Sequence, residues 1–83
     1  MSESSQNLRD KRLLGDSSYD IIHQLEKTAD FLYSAVEKYI RDAEKDGKPE
    51  QIKLWNSIKE DEQNHLQMLR NELIKEVKEN TFT

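Results

Sequence analysis

The residues most able to do chemistry lie in positions 58–69, with the sequence IKEDEQNHLQML. On a helix, Glu62 and His65 project from one side, because residues three apart are neighbours on a helix surface. The same face carries the apolar residues Trp55, Ile58, Leu66, Leu69 and Leu73. An ionised carboxylate among apolar side chains must pair, become neutral or bind a cation. We expect no Lys or Arg on this stripe, so a metal ion is the first candidate partner of Glu62, ahead of a salt bridge.

A second carboxylate, Glu26, lies at the edge of an apolar stripe earlier in the chain, near Leu25 and Ala29. Carboxylates together with imidazole suit Fe(II), Mn(II) or Zn(II). If the chain reverses at Gly47, Glu26 and Glu62 are offset by about 9 Å along the helix axes, at roughly 1.5 Å per residue. Direct contact within one chain is therefore not expected unless the turn is asymmetric.

Two long helices must position these residues. The first is predicted over about 17–46, with N-cap oxygens in Asp16, Ser17 and Ser18 and a left-handed C′ residue at Gly47. Pro49 suits the first turn of a second helix over about 49–78. Apolar residues recur at spacings of three and four in both segments. The short turn between them predicts an antiparallel all-α hairpin.

Composition limits the chain to one small domain. It has 83 residues, of which 34% are hydrophobic and 36% charged, and no cysteine. Residues 1–15 are polar without an apolar period and predict a flexible N-terminal arm, which leaves 16–83 as the hairpin domain. A hairpin leaves part of each apolar stripe in water, so we expect a homodimer that forms a four-helix bundle.

The charge and the hydrophobic pattern argue against two classes of partner. A net charge of −4 disfavours nucleic acid, which needs clustered Lys and Arg. No apolar run is long enough for a membrane span or a signal-peptide core. We therefore expect a soluble, cytoplasmic protein with no nucleic-acid or membrane partner.

A four-helix bundle formed by two chains would bring acidic residues of both chains to one metal site. Carboxylate-bridged metal centres in four-helix bundles take one Glu from each of two helices and a Glu-x-x-His pair from each of the other two. Two copies of this chain supply Glu26 twice and the Glu62, His65 pair twice. Asp61, beside Glu62, is a candidate second-layer acceptor that orients a metal-bound imidazole.

These motifs resemble a known family. Glu26-x-x-Ala29-x-x-x-Tyr33 followed by Glu62-x-x-His65 is similar to the motifs of ferritin-like and rubrerythrin-like di-iron proteins, over residues of about 18–75. The length is that of a half-length member, similar to the encapsulated ferritins. The resemblance implies a ferroxidase that oxidises Fe(II) with dioxygen or peroxide at a di-iron site between two subunits. It implies Glu26, Glu62 and His65 as ligands and Tyr33 nearby.

The resemblance also bears on assembly. It implies a homodimer at minimum and a ring-like higher oligomer. It leaves an encapsulin shell open as a partner, although no Gly-Ser-Leu-rich targeting tail precedes Thr83. The cysteine site of rubrerythrins is absent.

Two other functions remain open on the sequence. The hairpin could be a structural or interaction module whose polar residues set the register of an oligomer. The same residues could bind Zn or Mn without redox chemistry. For single residues, we expect Glu37 to be exposed or paired with Arg41 at i+4, with metal ligation as an alternative, and Tyr33 to be mainly a packing residue.

Overall fold

The computed structural model describes residues 14–80, and the regular structure in that range is entirely helical. The elements are α1 (Asp16–Asp30), a π-helical segment (Phe31–Ala35), α2 (Val36–Lys45) and α3 (Pro49–Glu79). The first three form one rod, called here the first rod, which packs along α3. The all-α expectation is confirmed. The predictions for the N-terminal arm and the chain end concern residues 1–13 and 81–83, which lie outside the described range.

The start of α1 differs from the expected capping. Its N-cap is Gly15, in an extended conformation with φ −72° and ψ 166°, and no side chain caps the helix. Asp16 lies in the first turn, where its charge favours the helix dipole. Ser18 is buried. The prediction of an N-cap among Asp16, Ser17 and Ser18 was wrong, because the helix begins one residue earlier and Ser18 packs inside.

The π-helical segment interrupts the regular hydrogen bonding of the first rod, which the apolar spacing did not predict. The N–H of Val36 donates to the carbonyl of Phe31, five residues back. A π turn accommodates one additional residue, so it rotates α1 by about 100° relative to α2 compared with an uninterrupted helix. Val36, immediately after the segment, is fully buried.

The turn at Gly47 has the predicted form. Gly47 has φ +65°, and its N–H donates to the carbonyl of Glu44 at 3.1 Å. The N–H of Lys48 donates to the carbonyl of Ala43 at 2.9 Å. These two bonds form a Schellman motif, which ends a helix on a left-handed residue. Pro49 then begins α3, where its missing N–H has no intrahelical acceptor.

Aromatic contacts and one ion pair hold the two rods together near the turn. The ring of Tyr39 lies 4.8 Å from that of Trp55 and 6.2 Å from that of Phe31. Glu37 and Lys59 pair across the rods at 2.6 Å. Tyr39 follows Glu37 along the first rod, whereas its partner Trp55 precedes Lys59 along α3. The two rods therefore run antiparallel.

The interior of the described hairpin is small. Val36 and Ala43 are its buried hydrophobic residues, and Ser18 and Thr28 its buried polar ones. The large apolar side chains that remain exposed are Tyr19, Tyr33, Tyr39, Leu54, Met68, Ile74 and Val77. Two helices alone therefore cover little of their apolar surface. Among the described residues, no helix has the length and apolar character that a membrane crossing requires.

A candidate metal-binding groove

Glu62 and His65 meet on one turn of α3. His65 Nδ1 lies 2.8 Å from Glu62 Oε1, a hydrogen-bond distance. The side chain of Glu62 is 27% exposed and that of His65 is 58% exposed. Glu62 therefore lies on the seam between the rods, while His65 stands at its edge, open to solvent. Glu62 is only half-buried, so it is less enclosed than its place in the apolar stripe suggested.

The pair lines a groove of about 430 Å³ between α1 and α3. The residues that form the groove are Ile21, Gln24, Thr28, Glu62, His65, Met68, Leu69 and Glu72. Gln24 Nε2 donates to the hydroxyl of Thr28 at 3.1 Å, so the α1 wall carries an ordered polar pair. The groove thus combines carboxylate, imidazole, amide and hydroxyl groups with apolar walls.

Sequence reasoning did not identify Gln24, Thr28, Met68 or Glu72 as part of this site. Gln24 and Thr28 lie four apart, as do Met68 and Glu72, and both spacings put the residues on one helix face. The hairpin register would have placed those faces opposite each other. The missing information was the rotation of α1, which depends on the π-helical segment.

Glu26 is exposed and does not line the groove. It comes two residues before the buried Thr28, which corresponds to about 200° around the helix. The pairing of Glu37 with Lys59 sets position 26 level with about position 70, roughly 12 Å along the axis from Glu62. One chain therefore keeps Glu26 apart from Glu62 and His65. Its role as a ligand stays a prediction that requires a second chain.

Tyr33 and Asp61 are both exposed. Tyr33 lies in the π-helical segment and projects into solvent. Its side chain is 81% exposed, so the expectation that it packs was wrong for the single chain. Asp61 precedes Glu62 on the outer side of α3, and its proposed contact with a metal-bound imidazole stays a prediction.

Glu37 has a different partner from the one expected. Lys59 Nζ donates to Glu37 Oε1, and this hydrogen bond and the lysine's charge lower the pKa of Glu37. Arg41 lowers that pKa to a smaller extent. Glu37 is exposed, which was one of the two expected alternatives, and its ion-pair partner is Lys59 rather than Arg41. The expectation of no Lys on the α3 stripe was wrong, since the half-buried Lys59 lies one turn from Glu62.

Lys59 lies one turn from Glu62 but pairs with a residue outside the groove. Because its ammonium group points to Glu37, it does not neutralise Glu62, whose hydrogen-bond partner in this region is His65. Residues 14–80 contain no group of three or more His, Cys, Asp or Glu side chains placed to hold a metal ion. One carboxylate and one imidazole suit Fe(II), Mn(II) or Zn(II), but protein sites for these ions use three or more ligands. The described residues of a single chain thus bring together two side chains of the kind that such sites use, Glu62 and His65.

No protein-family model, curated protein or solved structure matches this chain. The ferritin-like resemblance accordingly depends on the Glu26-x-x-Ala29-x-x-x-Tyr33 and Glu62-x-x-His65 motifs alone.

Proposed function

We propose that this chain is a ferroxidase-type protein that oxidises Fe(II) with dioxygen or peroxide at a di-iron site shared between two subunits. The observation that supports this most strongly is the convergence of Glu62 and His65 at 2.8 Å in a groove with apolar walls. A carboxylate and an imidazole one turn apart are a half-set of ligands that a second copy doubles. The proposed role is in iron handling or protection from oxidative stress.

Each ligand has a separate task in this proposal. Glu62 is half-buried on the seam, and its carboxylate would hold the cation there. His65 is more exposed, and with Nδ1 beside Glu62 it would offer Nε2 to the cation. Glu26 would complete the set from the other chain, with Tyr33 and Asp61 in the surrounding layer. Bound iron supplies the electrons that reduce the oxidant.

The surface of the hairpin supports the dimeric part of the proposal. Seven large apolar side chains are exposed in the described range, although only two hydrophobic residues are buried. Small domains with so little interior usually gain stability from a metal or from self-association. A homodimer that closes into a four-helix bundle, and a ring of such dimers, are the proposed assemblies. An encapsulin shell remains an alternative partner, and we propose that the protein is cytoplasmic.

The direct test is aerobic Fe(II) oxidation, followed by near-ultraviolet absorbance, together with the metal content of protein loaded with Fe(II). Glu62→Gln and His65→Ala should each lower the initial rate by at least about tenfold, as expected for loss of a ligand or its support. The matched controls Glu60→Gln and His23→Ala change an exposed residue of the same type and should keep the wild-type rate. A wild-type rate equal to that of buffer, or equal losses in the controls, would overturn the proposal.

Glu26 needs its own variant because one chain keeps it away from the groove. If it reaches the site from a second chain, Glu26→Gln should lower the rate as strongly as Glu62→Gln. An unchanged rate in Glu26→Gln with a lost rate in Glu62→Gln would remove Glu26 from the ligand set and leave the pair of α3.

A structural or interaction hairpin is the second candidate, favoured by the exposed Leu54, Met68 and Val77. In that case the protein would self-associate, yet neither bind Fe(II) nor oxidise it. Non-redox binding of Zn(II) or Mn(II) would instead raise the melting temperature in a Glu62-dependent way with no Fe(II) turnover. The same panel of variants therefore separates all three functions.

A further inference from the structure

Helix α3 carries a second stripe beside the seam that faces the first rod. Its members, called here the flank stripe, are Leu54, Ile58, Asp61, His65, Met68 and Glu72. They follow one another at spacings of four, three, four, three and four, which is the pattern of residues that meet a partner helix in a coiled coil. Met68 is 67% exposed, and Leu54 and His65 are also exposed. Ile58 is half-buried, and the first rod leaves the other five members of the stripe exposed.

The flank stripe is symmetric about position 63. A two-fold axis at that position pairs Leu54 with residue 72, Ile58 with residue 68 and Asp61 with residue 65 of a second copy. Each pairing occurs twice, because a two-fold interface brings residue i against j and j against i. The contact between Ile58 and Met68 therefore occurs once on each side of the axis. Between these two apolar contacts lie the two contacts of Asp61 with His65. Spacings of this kind are always symmetric in position, so the evidence for a second copy is the match of residue types, Ile58 with Met68 and Asp61 with His65.

Charge selects the direction of the partner helix. In a parallel arrangement, Asp61 would face Asp61 and Glu72 would face Glu72 across the axis. Like charges directly opposite each other are unfavourable. In the antiparallel arrangement, Asp61 faces the imidazole of His65, and the two copies of Glu72 lie apart at opposite, outer ends of the stripe, where each carboxylate can stay in contact with water. The antiparallel pairing is therefore the one that the stripe favours.

We propose that a second copy docks its α3 antiparallel along the flank stripe, which sets the partner's Asp61 beside His65. The dimer interface does not depend on the proposed function, whereas its role in the metal site rests on that function. His65 already contacts Glu62 at 2.8 Å, so the docked copy brings a carboxylate from outside the chain into the layer around that pair, where it would orient the imidazole. The two-fold axis produces the same set of Asp61, Glu62 and His65 twice.

The first test breaks the apolar contacts without touching the metal donors. Met68→Glu would bury a carboxylate against Ile58 twice, and it should raise the dimer dissociation constant at least about 100-fold. Because Met68 is exposed in the single chain, helix content by circular dichroism should be unchanged. Gln63→Glu adds the same charge on the opposite side of α3 and should leave the dimer intact. Sedimentation velocity with a chelator present measures all three proteins.

The second test fixes the direction and register by cross-linking. The chain contains no cysteine, so introduced thiols are the only ones. The double variant Leu54→Cys, Glu72→Cys should form covalent dimers rapidly with a short thiol cross-linker. Leu54→Cys alone should not, because eighteen residues of helix separate the two copies of position 54 by about 27 Å.

The outcomes separate this interface from the proposed function. A monomeric wild type, a dimeric Met68→Glu, or cross-linking by Leu54→Cys alone would each overturn the antiparallel interface. If Fe(II) is oxidised and the double variant does not cross-link, the interface is wrong and the ferroxidase proposal survives. If the dimer cross-links as expected and no iron is oxidised, the ferroxidase proposal fails and the interface survives.

Discussion

Val36 offers the sharpest test of the hairpin's packing. It is fully buried at 0% exposure and opens α2 directly after the π-helical segment. Val36→Ala removes two methyl groups, worth about 0.8 kcal/mol each in transfer free energy. The cavity left behind adds to this, so we expect a loss of about 2 kcal/mol in the free energy of unfolding. For a domain of this size the melting temperature should fall by roughly 8–16 °C.

The same substitution at an exposed site provides the control. Val77 lies on α3 at 57% exposure, so Val77→Ala should change the free energy of unfolding by no more than about 0.5 kcal/mol. Urea unfolding followed by far-ultraviolet circular dichroism measures both, at one protein concentration because self-association adds to apparent stability. Equal costs for the two variants, or a cost below about 0.5 kcal/mol for Val36→Ala, would refute this account of the interior.

Two further predictions concern the turn and the ion pair. Gly47→Ala puts a residue with a Cβ at φ +65°, and the added Cβ meets no atom within 4 Å. Urea unfolding should therefore show a loss of about 1 kcal/mol in the free energy of unfolding, caused by the backbone conformation alone. Unchanged stability would show that the turn is not left-handed. Lys59→Gln should lower stability at neutral pH more than the exposed control Lys53→Gln does. Because Lys59 lowers the folded-state pKa of Glu37, the contribution is present above the unfolded pKa of about 4.3 and is lost as the pH falls through the folded pKa. Melts from pH 7 to pH 2 test this, and a pH-independent difference between Lys59→Gln and wild type would contradict it.

The features that local sequence decides were predictable. Gly47 adopts a positive φ because a Schellman turn requires it, and Pro49 begins α3 because its missing N–H has no intrahelical acceptor there. The spacing of Glu62 and His65 fixes their proximity within one helix turn. Each of these outcomes depends on interactions between residues at most five apart, so neighbouring residue types are sufficient to predict them.

The features that depend on the opposite rod were not predictable in the same way. The apolar spacing of the first rod is compatible with a continuous α-helix, so nothing in it revealed the π turn at 31–35. That turn decides which side of α1 faces α3. It places Thr28 inside and leaves Glu26 and Tyr33 in solvent. The partner of Glu37 was missed for a similar reason, since Lys59 is 22 residues away in sequence.

The described hairpin therefore links its proposed chemistry to its assembly. Glu62 lies on the seam within the chain, and His65 lies on the flank stripe that a second copy would cover. The 2.8 Å contact between them joins these two surfaces. A metal ion held there would contact both, so metal binding would strengthen dimerisation, and dimerisation would raise metal affinity by the same factor. If the proposal holds, a single chain with two metal ligands and a small interior binds metal weakly and is only marginally stable, and the proposed association of two chains would supply both the missing ligands and the missing core.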